Sequence, residues 1–305
     1  MFDDQRNIGF VEYLKSHAHF FTTLFKYRKT YKNYFSVIVQ AIRKKYPIKA
    51  VLRNGDHIIL NNRVEVYAST NGLGGFLECN DDIVTISRKD LPHKIKLYSG
   101  INNGDILAVF LREEYRFLPV KGQTIIDIGA NIGDSAIYFA VHGANKVIAL
   151  EPYPQNYEIA RKNIELNSLS NKINLMLAGC SSTCKTITID SKKQTSFQSY
   201  IQESSNGITV PIMTLESILK ENNINSALLK MDCEGCEYET ILSSSADTLQ
   251  KFSYIQIEYH YGYKNLKTKL ENCGFKVSIT SPQYYLSYKA KKPHAYVGYL
   301  YAIRN

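Results

Sequence analysis

The sequence predicts an α/β protein whose carboxy-terminal part is a doubly wound, mostly parallel sheet, preceded by a helical segment and a β-rich region. Three observations predict it. From residue 124 onward apolar strands alternate with helix-like stretches, and a glycine turn follows the first of those strands. Before residue 121 the pattern differs, with helical spacing to residue 47 and short β-branched runs after it. Residues 1–47, 48–120 and 121–305 are therefore read as a helical segment, a β-rich region and a main domain.

A chain of 305 residues buries one large core with a smaller appendage, and 44% apolar with 21% charged residues suits an ordered globular protein. The opening Met1-Phe2-Asp3-Asp4 lacks a basic signal-peptide start, and no apolar run approaches the roughly 20 residues that span a bilayer. A cytoplasmic protein is expected. The net charge of +9 is uneven, since ten Lys or Arg in residues 1–50 face only Asp3, Asp4 and Glu12. Six cysteines in such a chain do not suggest a disulfide framework.

Taken in order, Phe10, Tyr13, Leu14, His17, Phe20, Phe21, Leu24 and Phe25, then Tyr31, Tyr34, Phe35, Ile38 and Ile42, recur near the helical period. They predict two helical segments ended by Pro47. Over residues 49–118, runs such as Val64-Glu65-Val66 and Ile83-Val84-Thr85-Ile86 are divided by turn signals. These are Asn54-Gly55-Asp56, Asn71-Gly72, Gly74-Gly75 and Asn103-Gly104-Asp105, and they predict a small antiparallel region. Strands at 124–128, 147–150, 173–177, 227–231 and 254–258 then alternate with helices, as βαβ units on a parallel sheet require. Runs at 275–279 and 296–302 have no helical pattern between them and suit an antiparallel pair at the sheet edge. The Ser/Thr-rich stretch 180–203 is long for a connection and reads as functional or disordered.

The turn Asp127-Ile128-Gly129-Ala130-Asn131-Ile132-Gly133 lies between an apolar strand and the helix-like Ser135-Ala136-Ile137-Tyr138-Phe139-Ala140. Small residues there let a ligand approach the backbone where open α/β sheets bind ligands. Glu151 ends the next strand, eighteen residues beyond Gly133, where a carboxylate can accept both hydroxyls of a ribose. A dinucleotide turn needs G-x-G-x-x-G to seat a pyrophosphate on helix amides. Asn131 replaces its second glycine and Asp134 its third, and a carboxylate there repels a diphosphate while tolerating an ammonium and a sulfonium. This favours S-adenosylmethionine over a nicotinamide dinucleotide; a bare strand-to-helix connection is the bland reading of the turn alone.

The motifs Ile126-Asp127-Ile128-Gly129-Ala130-Asn131-Ile132-Gly133-Asp134, Leu150-Glu151-Pro152, Val210-Pro211-Ile212-Met213-Thr214-Leu215 and Leu229-Lys230-Met231-Asp232-Cys233-Glu234-Gly235-Cys236-Glu237 resemble, in order, those of FkbM-type, class I S-adenosylmethionine-dependent methyltransferases. Ile257-Glu258-Tyr259-His260 is similar to the family's next strand ending. The resemblance runs over residues 105–262, and Cys233 and Cys236 depart from it where Val and Ala are usual. It implies a seven-stranded Rossmann-like sheet with an antiparallel edge strand, and O-methylation, often of sugar or polyketide hydroxyls. The cofactor residues expected are Asp127, Gly129, Ala130, Asn131, Gly133, Asp134, Ser135, Glu151, Pro152, Ala178, Gly179 and Asp232.

Methyl transfer is an in-line displacement in which positioning supplies much of the effect, and the acceptor's proton needs a base. Asp232, Glu234 and His260 are the expected catalytic residues. An acid ending an apolar strand is costly to desolvate without purpose, and an imidazole titrates near neutrality. Glu258 joins them at the neighbouring strand end, whereas Glu237 reads as a solvated acid at a helix start. The sequence lacks the Asn or Asp followed by two prolines seen in amine methylases, which suits a hydroxyl better. Asp232, Glu234, Glu258 and His260 are compatible with a divalent ion, but no metal is implied. Cys180/Cys184 and Cys233/Cys236 read as small apolar filling or a local disulfide before a zinc site, and Cys79 and Cys273 as ordinary thiols.

The basic segment, with Lys26, Arg28, Lys29, Lys32, Arg43, Lys44 and Lys45, reads as a solvated helical cap. Contact with an anionic membrane surface, with nucleic acid, or in a homodimer competes with that. The expected partner is a small-molecule, sugar or glycolipid hydroxyl acceptor. An RNA or protein methyltransferase on the same fold, and a non-catalytic binding module, are the alternatives.

Overall fold

A computed structural model of the chain describes residues 23–73, 76–80, 82–98, 105–190, 204, 206–285 and 295–304. The helical pattern read over residues 8–22, the Gly74-Gly75 turn, most of the Asn103-Gly104-Asp105 turn, the stretch 191–203 and the side chain of Cys79 lie outside the described residues. The chain divides into two compact units, residues 8–99 and residues 100–305 together with 1–7.

In the smaller unit a helix at 23–30 is followed by α1 (Tyr34–Ile42). The Asn33 side chain accepts from the Val51 amide at 2.8 Å and donates to the Lys49 carbonyl at 2.9 Å. These bonds tie the start of α1 to β1 (Ile48–Val51), which pairs antiparallel with β2 (His57–Leu60) across the Asn54-Gly55-Asp56 turn. The run Val64-Glu65-Val66, expected as strand, lies instead in α2 (Arg63–Thr70). The Asn62 side chain accepts from the Glu65 amide at 3.0 Å, and the Glu65 carboxylate accepts from the Asn61 amide at 2.7 Å. Such a cap outweighs the modest β preference of two valines. Strands β3 (Leu77–Asn80), β4 (Ile83–Ile86) and β5 (Ile95–Tyr98) form an antiparallel meander.

The larger unit opens with α3 (Asp105–Phe110), a second helix in a stretch expected to be strand-rich. Its sheet is built from β6 (Thr124–Ile128), β7 (Lys146–Leu150), β8 (Ile173–Met176), β12 (Ala227–Met231), β13 (Phe252–Tyr259), β14 (Lys276–Ile279) and β16 (Ala295–Ile303). The order is β14-β16-β13-β12-β6-β7-β8, with β15 (Gln283–Tyr285) paired to β16 off the path. β16 runs antiparallel to both neighbours, one strand in from the edge, and the other pairings are parallel. This is the mostly parallel seven-stranded, Rossmann-like sheet.

Helices α4 (Asp134–Val141) and α5 (Pro154–Leu166) follow β6 and β7, and α6 (Leu215–Glu221) leads into β12. After β12 come α7 (Cys236–Ser243) and α8 (Ala246–Leu249), and α9 (Lys264–Asn272) follows β13. The chain winds outward from β6 through β7 and β8, then returns to β12 on its other side. The switch point, where such sheets open a crevice, therefore lies between β6 and β12. A separate small sheet, β10-β11-β9, joins β9 (Gly179–Cys180), β10 (Lys185–Ile189) and β11 (Ile208–Met213); β10 lies inside the Ser/Thr-rich stretch read as functional or disordered, and its Ile187 and Ile189 are instead buried in a small core.

Candidate active site

Register places Asp127 of β6 opposite Lys230 of β12, and Lys230 opposite Gln256 of β13. Because alternate residues share a sheet face, these three polar side chains form one row through an apolar sheet. All three are buried. The Lys230 ammonium lies 3.0 Å from Asp127 Oδ1, donates to the Gly129 carbonyl at 2.7 Å and sits 5.4 Å from the centre of the Tyr115 ring. Burial acts to lower its pKa, but Asp127 and Asp232 outweigh that and hold it above the ordinary lysine value. Asp127 Oδ2 accepts from Ser135 Oγ at 2.6 Å. Asp127 and Ser135 thus brace the glycine turn from beneath.

Gly129 has a φ of +82°, and a Cβ there would meet the Asp232 carbonyl oxygen at 1.9 Å, so the turn and the end of β12 approach as only glycine allows. Gly133, φ +84°, starts α4 against Ala160, where a Cβ would lie at 3.1 Å. Asp134 is buried in the first turn of α4, and Ala130 is buried within the glycine turn.

At the end of β7 the buried Glu151 carboxylate accepts from the Asn131 amide at 2.9 Å through one oxygen, and from the Tyr153 amide at 3.0 Å through the other. Burial pushes its pKa up to about 7 despite these bonds. Pro152 is half-buried beside it. Ala178 is buried in the main core, and Gly179 pairs with Ile212 in the small sheet, so both are held by packing.

The third part follows β12. The Asp232 amide donates to the Ile128 carbonyl at 3.0 Å, extending the strand contact into the crevice. Cys233 and Cys236 form a disulfide that brackets Glu234, whose φ is +58°, and Gly235. Four acids and one imidazole meet here. His260 Nδ1 stands 3.1 Å from Glu237 Oε1, and Nε2 stands 3.3 Å from Glu234 Oε2 and 3.8 Å from Asp232 Oδ1. Glu237, expected as a solvated acid, is instead fully buried and also accepts from the Cys233 amide at 3.0 Å. Desolvation alone would lower the His260 pKa, but Glu237, Glu234 and Glu258 raise it well above the ordinary value. These acids favour the protonated ring, whose two nitrogens face carboxylate oxygens on either side. Burial, then Asp232, pushes the Glu258 carboxyl well up, and its Oε2 lies 3.4 Å from the Tyr299 hydroxyl. Asp232 and Glu234 keep 28% and 24% of their side-chain surface exposed, so they face the crevice while His260 and Glu237 stand behind them.

A family model described as the Methyltransferase FkbM domain matches residues 127–277, from the acid beneath the glycine turn to β14. Residues 127–277 belong to this family. The glycine turn, Glu151 and the acids after β12 all lie within these residues. A ribosomal protein L11 methyltransferase of Carboxydothermus hydrogenoformans is 38% identical over 55 residues, 18% of each protein, so the match spans less than a fifth of that relative. Among solved structures, the precorrin-6y C5,15-methyltransferase of Geobacter metallireducens is similar at 14% identity and a TM-score of 0.40, over 67% of this chain and 90% of that one. M. jannaschii TYW2 in complex with AdoMet is similar at 16% identity and a TM-score of 0.38, over 75% and 90%.

Sequence reasoning passed over Lys230 and Tyr299 and took the buried Glu237 for a solvated acid. One signal was available: a lysine inside Ala-Leu-Leu-Lys-Met needs a buried counter-charge, and the acid at the matching position of β6 supplies it. Of the readings for the four thiols, Cys233 and Cys236 form the local disulfide, and Cys180 and Cys184 are free thiols. Burial pushes the Cys180 thiol up to about 12.

Proposed function

We propose that the FkbM domain transfers the methyl group of S-adenosylmethionine to a hydroxyl of a sugar, glycolipid or other small molecule. The observation that carries the reading is the Asp232, Glu234, Glu258 and His260 cluster standing directly across the Gly129–Asp232 contact from the glycine turn.

The cofactor fits the residues present. Glu151 Oε1 accepts from the Tyr153 amide at 3.0 Å and the Asn156 side-chain amide at 3.4 Å, while Oε2 accepts from the Asn131 amide at 2.9 Å and has a second lone-pair direction suited to a ribose hydroxyl. Asp134 gives the turn a carboxylate that suits a cationic methionyl group better than a phosphate. S-adenosylmethionine supplies an electrophilic methyl on a sulfonium, and the chain's own task is to orient an acceptor and take its proton. Asp232, exposed to the crevice and packed against the glycine turn, is the proton acceptor. His260, expected as a base, acts here as a positioning residue, its imidazolium holding Asp232 and Glu234. Glu258, which keeps its proton more readily than an ordinary carboxyl, hydrogen-bonds a second hydroxyl of the acceptor.

The same acids favour an uncharged acceptor over RNA, since carboxylates at the methyl site repel a phosphate backbone. The test is transfer of tritiated methyl from S-adenosylmethionine to a panel of glycosides, glycolipids, amines and RNA. Label in a neutral, alkali-stable ether supports the reading. Label confined to RNA or to amines contradicts it.

A further inference from the structure

We propose that the smaller unit docks on an anionic phospholipid surface through the outer face of α1 and the basic residues at its end. Between Tyr13 and Gly55 the sequence contains ten Lys or Arg and no Asp or Glu. α1 is apolar on both sides. With about 100° of turn per residue, Tyr34, Val37 and Ala41 fall on one side, and Phe35, Val39 and Ile42 on the other. The first set belongs to the unit's core: Val37 is fully buried, and Tyr34 and Ala41 pack against the cluster of Tyr31, Ile48 and Ala50. The second set faces outward, with Phe35 71% and Ile42 73% exposed.

Apart from a polar strip of Ser36 and Gln40, α1 carries apolar side chains on two sides, and the unit's own core covers one of them. The other side ends in Arg43, Lys44 and Lys45, all exposed. Apolar side chains interleaved with lysines match a bilayer interface, where the first enter the acyl boundary and the second meet anionic headgroups. Nucleic acid would reward the charges but not Ile42, which neither stacks on bases nor donates hydrogen bonds. Among the described residues no helix is long and apolar enough to cross a membrane, so the contact is with the surface.

The test of this surface does not pass through catalysis. The full chain is sedimented with vesicles of equimolar phosphatidylcholine and phosphatidylglycerol, and with vesicles of phosphatidylcholine alone. The wild type should pellet with the mixed vesicles only. The double variant Phe35→Ser/Ile42→Ser and, separately, the triple variant Arg43→Glu/Lys44→Glu/Lys45→Glu should each weaken that binding at least about tenfold with unchanged melting curves. The proposal is overturned by equal pelleting with both lipids, by no pelleting with either, or by full binding in both variants. It is equally overturned if the basic variant loses binding to an RNA duplex while the wild type ignores vesicles, or if the apolar variant only converts a dimer to a monomer.

Discussion

Lys230 and Asp127 form a fully buried ion pair, 3.0 Å apart, that joins β12 to β6 directly under the glycine turn. Through its second bond, to the Gly129 carbonyl, the same ammonium fixes the turn's height above the sheet. Removing one partner of a buried pair strands the other charge. Lys230→Met should therefore cost about 3–5 kcal/mol in urea unfolding. The double variant Lys230→Met/Asp127→Asn should lose less than the sum of the single losses, because neither charge is then left alone. Additive losses would mean that the pair is not coupled.

Glu151 makes cofactor affinity depend on pH. Its folded pKa of about 7 lies above the 4.5 of a free glutamate, so the folded state binds the extra proton between those values. This group's contribution to stability therefore falls as pH rises from 4.5 to 7. Ribose hydroxyls donate to the ionised form, so binding of S-adenosylmethionine should strengthen by about tenfold between pH 6 and pH 8, as the ionised fraction grows. Calorimetry at the two pH values measures it, and Glu151→Gln should bind weakly with no such slope.

His260 shifts stability with pH in the same direction. Its folded pKa is raised well above the unfolded 6.5, so its contribution to stability is fully present below that value and is lost as pH rises through the folded one. The stability gap between wild type and His260→Gln should be widest in mildly acid solution and shrink in alkali. A gap that widened with pH would show that the ring is neutral in the folded protein.

Asp232→Asn preserves shape and removes the proposed proton acceptor. It should lower kcat by about 10²–10⁴-fold, the usual range for a general base, while changing the affinity for S-adenosylmethionine far less. Equal losses in both would assign Asp232 to cofactor binding alone.

Much of this arrangement was legible in the residues. Strand positions from Thr124 onward follow from apolar runs of fixed length, and Glu151 and Asp232 announce themselves as acids ending such runs. The helix Arg63–Thr70 was not legible, because two valines suggest strand while its formation is decided by Asn62 and Glu65 closing a cap. Glu237 was misread for a related reason. An acid at a helix start is usually solvated, and its burial follows from His260, twenty-three residues away, folding against it. Long-range register of this kind joins Lys230 to Asp127 as well, and no local pattern encodes it.

The most direct test is a calorimetric titration of the full chain with S-adenosylmethionine at pH 8, with Glu151→Ala alongside. Saturable one-to-one binding by the wild type, lost or greatly weakened in the variant, is the predicted result. No heat with S-adenosylmethionine, together with saturable binding of a nicotinamide dinucleotide, would contradict the account.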